Sequence, residues 1–142
     1  MRTILKKIKP DCFCLKTRRL SAAVTKFYDR ELLASGVTIS QYSILLNITG
    51  AEYCSVRELA DLSELDKSTL ARNLKPLFAQ ELVVDVKEPG SRNRRLLLTV
   101  SGLKTLDMAK LLWAEGQKKM REKLGTVGQE ALENVLDALE NL

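Results

Sequence analysis

The stretch SELDKSTLARNLKPL, residues 63–77, carries Lys67, Ser68, Thr69, Arg72, Asn73 and Lys75 with no acid after Asp66. Hydroxyls and guanidinium groups can hydrogen-bond to base edges, whereas ammonium groups mostly neutralise phosphate. A second cationic group follows in Arg92, Arg94 and Arg95, and arginine inserts favourably into a narrow, electronegative minor groove. Ser55 and Arg57, just upstream of the first stretch, complete the candidate DNA contacts. Arg72 is the expected direct reader of a base, because arginine to guanine is the commonest specific pairing. The cysteines offer a different chemistry. Cys12 and Cys14 stand in CFC, flanked by Lys9, Lys16, Arg18 and Arg19, and Cys54 stands apart. A cation-flanked pair of thiols is a candidate redox switch, although small half-buried apolar residues would read the same way. The chain has no histidine, which removes the commonest metal ligand and the usual near-neutral proton switch. Three loosely spaced cysteines make no zinc site. No glycine-rich phosphate loop and no nucleophile with an evident base are present, so neither an enzyme nor a cofactor is expected.

These side chains need elements to hold them. Leu70, Leu74, Leu77 and Phe78 recur at helical spacing and put one apolar stripe opposite the cationic face. Asp66 is a good N-cap for that helix. Pro76 lies well past the first turn, where a missing N–H and a crowded carbonyl predict a kink or an early finish. Upstream, Leu15, Leu20, Val24, Phe27, Tyr28 and Leu32 predict a helix over 11–35 that stops at Gly36. TISQ (Thr38 to Gln41) and SVRE (Ser55 to Glu58) are capping boxes that open two more helices. Downstream, LVVDV and RRLLLT are short candidate strands, and Pro89–Gly90 between them suits a type II turn. Thr99 or Ser101 should cap a long helix to about residue 124, burying Leu103, Leu106, Leu111 and Trp113. Thr126 and Gln129 predict one further capping box, opening a helix with the stripe Leu132, Val135, Leu136, Leu139 and Leu142. Two short helices separated by SEL and followed by a hairpin form a helix-turn-helix with a wing. The fold class is therefore mainly α with a small β-hairpin.

At 142 residues the chain is one compact domain or one domain plus an oligomerisation element. The net charge of +5 is uneven, because residues 1–20 carry seven Lys or Arg against Asp11 alone. A basic arm is common in proteins that meet polyanions, and equally common as a solvated terminus. No apolar run is long enough for a bilayer span, and the N-terminus lacks the apolar core of a signal peptide. An odd number of cysteines makes no secreted disulfide framework. The expectation is a cytoplasmic protein without membrane contact.

SVRELADLSELDKSTLARNLKPL together with LTVSG (Leu98 to Gly102) resembles the winged helix of the MarR (multiple antibiotic resistance regulator) family of bacterial transcription factors. The flanking helices share that family's lengths and order. The resemblance implies a winged helix-turn-helix at 37–102, with N-terminal (1–36) and C-terminal (103–142) helices that dimerise. It further implies a homodimer on an inverted-repeat operator in double-stranded DNA, and a repressor released by a small aromatic or anionic effector. Tyr28, Tyr42 and Trp113 are candidates to line the effector crevice, and are equally suited to ordinary core. The family wing usually carries an Asp two residues before an Arg. Here the Arg position is Arg92 and the Asp position is Gly90, with Glu88 as a candidate substitute. The alternatives are a redox-sensing regulator of the same fold, a winged-helix protein-interaction module and a charge-only architectural DNA binder.

Overall fold

The computed structural model of the chain describes residues 11–51, 54–91 and 94–142. Its elements are α1 (Phe13–Glu31), a 3-10 turn (Leu33–Ser35), α2 (Ile39–Gly50), α3 (Val56–Ser63), α4 (Lys67–Ala79), β1 (Val83–Asp85), β2 (Leu96–Leu98) and α5 (Val100–Glu140). The order matches the sequence reading, with its last two helices joined in α5 across a bend. Gly125 supplies the bend at φ 65° and ψ 177°, a conformation open to glycine.

Local chemistry sets most boundaries. Gly36, at φ 79°, ends the first helical segment and donates its N–H to the Leu33 carbonyl at 3.1 Å. Both expected capping boxes form. Gln41 N–H donates to Thr38 Oγ1 at 3.2 Å, and Thr38 N–H to Gln41 Oε1 at 3.0 Å. Glu58 N–H donates to Ser55 Oγ at 3.1 Å, and Ser55 N–H to Glu58 Oε2 at 2.8 Å. Between α3 and α4 the chain turns through Glu64 at φ 53°.

One core joins α2, α3, α4, the hairpin and the first half of α5. Its fully buried side chains include Leu32, Ile44, Leu45, Ile48, Leu59, Leu70, Leu77, Leu96 and Leu106. The hairpin is antiparallel, pairing Val83 with Leu98, Val84 with Leu97 and Asp85 with Leu96. Leu96 also donates its N–H to the Cys54 carbonyl at 3.0 Å, which fastens the wing to the start of α3. At the tip, Gly90 has φ 84° and Ser91 N–H reaches the Glu88 carbonyl at 3.0 Å, as the expected type II turn requires.

Three expectations need correction. Pro76 does not end α4, which runs on to Ala79. Proline inside a helix costs about 3 kcal/mol, and beyond it the burial of Leu77, at roughly 2 kcal/mol, and the packing of Phe78 against the core offset that cost. Leu103 and Leu111 are not buried; they are 47% and 73% exposed. The inward face of α5 is Gly102, Leu106, Ala109 and Gly116, with Trp113 packed beside it. Gln129 does not reach back as a capping-box partner; it donates its side-chain amide to the carbonyls of Arg121 and Gly125, both at 3.1 Å.

A candidate nucleic-acid interface

The α4 face is organised from its first residue. Asp66 Oδ1 accepts from the Thr69 N–H at 2.8 Å and Oδ2 from the Thr69 hydroxyl at 2.7 Å. The Thr69 N–H, its hydroxyl, the Ser68 N–H and the Arg72 charge together hold the Asp66 carboxyl below the usual range. Thr69 Oγ1 in turn accepts from Arg72 Nη2 at 3.3 Å. Asp66, Thr69 and Arg72 thus form one chain along the helix surface. Thr69 has its hydroxyl proton committed to Asp66, and its oxygen accepts from Arg72. Lys67, Ser68, Arg72 and Lys75 are all exposed. The opposite face is buried through Leu70, Leu74 and Leu77, so the cationic side cannot rotate inward.

Arg57 is exposed on α3, and Ser55 serves as that helix's cap. Asn47 Nδ2 donates to Ser63 Oγ at 3.3 Å, tying α2 to the end of α3. The capping bonds of Ser55 hold the Glu58 carboxyl below its usual range.

In the wing, Arg92 lies outside the described residues. Arg94 is exposed and Arg95 is half-buried. The residue that sequence reasoning missed is Asp85. Its Oδ2 pairs with Arg94 Nε at 3.4 Å, while Oδ1 accepts from the N–H groups of Lys87 at 3.2 Å and Arg95 at 3.1 Å. An acid in an otherwise apolar strand, facing arginines across a hairpin, was the available signal. Glu88, the expected substitute, contributes its backbone carbonyl to the turn.

Wing and α4 share a frame. Thr99 caps α5 by accepting the Gly102 N–H at 2.9 Å, and its hydroxyl donates to the Glu81 carbonyl at 2.6 Å. A Cβ on Gly102 would stand 2.0 Å from the Leu82 carbonyl oxygen. The LTVSG segment is therefore the joint between hairpin and long helix.

The three aromatic candidates sit away from this face. Tyr42 is buried and stacks on Trp113 at 6.1 Å, and burial raises its phenol pKa. Tyr28 donates its hydroxyl to Gln117 Oε1 and meets Phe27 edge-on at 5.2 Å. Burial raises the Tyr28 phenol against the opposing charge of Arg121. An open groove of about 760 Å³ lies instead between β1, the end of α4 and the start of α5; its lining includes Phe78, Val83, Asp85, Arg94 and Val100. Cys12 is half-buried at the N-cap of α1 and Cys14 is exposed in its first turn. Cys54 is buried, and burial, reinforced by the Glu58 charge, pushes its thiol pKa up. No helix among the described residues is long and apolar enough to cross a membrane.

Residues 35–95 match the profile of the MarR family. Among solved structures, the transcriptional regulator MosR of M. tuberculosis in complex with DNA is 30% identical, with 92% of this chain and 98% of that chain covered and a TM-score of 0.76. The transcriptional repressor CouR bound to a 23-mer DNA duplex shares the fold at 24% identity, with 91% and 92% covered and a TM-score of 0.77. The PcaV regulator from Streptomyces coelicolor, in complex with its natural ligand, shares it at 21% identity, with 88% and 89% covered and a TM-score of 0.74. A search of curated proteins finds no match. The chain belongs to the MarR family.

Proposed function

We propose that this chain is a cytoplasmic, sequence-specific regulator of transcription that binds double-stranded DNA as a homodimer and acts as a repressor released by a small effector. The observation that carries this reading is the ordered cationic face of α4, with Arg72 oriented through Thr69 and Asp66. In a helix-turn-helix the second helix enters the major groove with its N-terminal residues at the base edges. Lys67 and Lys75 then neutralise phosphate, and the wing arginines approach the flanking minor groove. The DNA complexes of MosR and CouR support the partner, and the ligand complex of PcaV supports a small effector.

Arg72→Ala tests the reading helix. It should relax preference at one base position and weaken specific binding by roughly 1–3 kcal/mol. Titration against duplexes substituted one position at a time measures both effects, and an unchanged base profile would remove Arg72 from direct readout.

A further inference from the structure

We infer that Asp85 is the residue that pins the wing and orients its arginine side chain, an acid that improves recognition on a surface built to meet phosphate. The inference rests on the proposed DNA-binding function. The ladder of the hairpin is short: β1 and β2 have three residues each, and beyond Asp85 the Val86 N–H donates to the Arg95 carbonyl at 2.8 Å across the neck. The Asp85 carboxylate then does what further backbone pairing would do. Its Oδ1 takes one N–H from each side of the hairpin, Lys87 just after β1 at 3.2 Å and Arg95 just before β2 at 3.1 Å, and so clips the two sides together. Its Oδ2 meets Arg94 at Nε, at 3.4 Å. The pair meets at Nε, and an incoming anion would be met by the terminal guanidinium nitrogens.

The side chains differ in exposure as this division of labour needs: Asp85 is 22% exposed and Arg94 is 55%. A charged acceptor for backbone N–H groups in a partly desolvated place is a strong anchor, whereas a surface ion pair alone would be worth little. The anchor fixes geometry at the neck; the arginine supplies the positive charge at the surface.

Electrostatics alone gives the opposite expectation. Removing an acid close to bound phosphates should tighten binding to any duplex. The test therefore compares wild type, Asp85→Ala and Asp85→Asn on two probes at about 0.15 M salt. One probe is a duplex selected by the wild type from fragmented genomic DNA of the source organism; the other is a duplex of scrambled sequence. Asp85→Ala should lose roughly tenfold on the selected duplex while holding or gaining affinity for the scrambled one. Parallel gains on both would overturn the orienting role. Amide exchange on the free proteins gives an independent readout. Exchange at Lys87 and Arg95 should quicken in Asp85→Ala while Ile44 and Leu70 in the core keep their protection. Asp85→Asn, which retains an Oδ1 acceptor, should preserve protection at both amides and lose part of the site preference. Unchanged exchange in Asp85→Ala would overturn the clip. If the wild type itself selects no duplex, the DNA-binding reading fails, and the exchange measurement still decides whether Asp85 pins the wing.

Discussion

In the proposed complex, Asp66 serves both stability and recognition. It satisfies an orphan N–H at the start of α4 and, through the Thr69 hydroxyl, steadies Arg72. Asp66→Ala should lower Tm by roughly 2–4 °C and weaken specific DNA binding; Asp66→Asn, still a good cap, should keep most of both. Thermal melts paired with duplex titrations check this. The pH dependence follows from a folded-state pKa that is depressed. The cap contribution is complete above the unfolded value of about 4, and is lost as pH falls through the lower folded value. The cap was legible because a four-residue pattern encodes it. The contact between Thr69 and Arg72 was not legible, since it depends on a side-chain rotamer and on where Arg72 folds back. Asp85 was hidden for a related reason: two of its three partners, Arg94 and Arg95, lie across a hairpin whose register no residue in the turn announces.

At the scale of elements, the helix starts at Thr38, Ser55 and Asp66 were readable, because capping bonds close within a single turn, while the start of α5 was narrowed to Thr99 or Ser101 and falls at Thr99. On the inward face of α5, Leu106 and Trp113 lie as expected, but Leu103 and Leu111 do not, and small residues take part of that face. Where α5 crosses the hairpin and α1, close approach selects small residues. Gly102 abuts the Leu82 carbonyl, and Gly116 lies against Glu31 and Tyr28. Nearby, Lys119 Nζ donates to Glu31 Oε2 at 2.6 Å, an interaction that raises the lysine's pKa. Gly102→Ala should destabilise the protein by about 1–3 kcal/mol or more, because its methyl group can be housed only by moving α5 off the hairpin. Gly50→Ala is the control, since nothing lies within 4 Å of the added carbon and its φ is ordinary; it should cost nothing or stabilise slightly. Urea unfolding of the two variants makes the comparison. Pro76 belongs here too. Its local cost was readable, but the packing of Leu77 and Phe78 that offsets it is tertiary.

For the whole molecule, apolar side chains stay exposed along the last turns of α5 and on α1. Val135 is 50% exposed, Leu136 45% and Leu139 53%, and on α1 Phe13 is 84% exposed and Leu20 47%. Apolar surface of this kind marks an interaction site, and a second copy of the chain is the partner the proposed function requires. The stripe was legible from its period; whether it closes on its own chain or on another was not, because the pattern is the same in both cases. Leu136→Asp should shift the protein towards monomer in analytical ultracentrifugation and weaken operator binding, since each half-site would then be held alone. A variant that stayed dimeric with unaltered binding would move the interface elsewhere.

The central claim is that two copies present two α4 helices to one stretch of duplex and read its sequence. Selection of genomic fragments by the reduced, purified protein at about 0.15 M salt, followed by sequencing, tests it most directly. The account predicts enrichment of a short inverted repeat whose half-sites lie about one helical turn, roughly 10 base pairs, apart. Recovery of fragments without a shared site, by binding that disappears as salt rises, would contradict it and leave a protein that recognises charge alone.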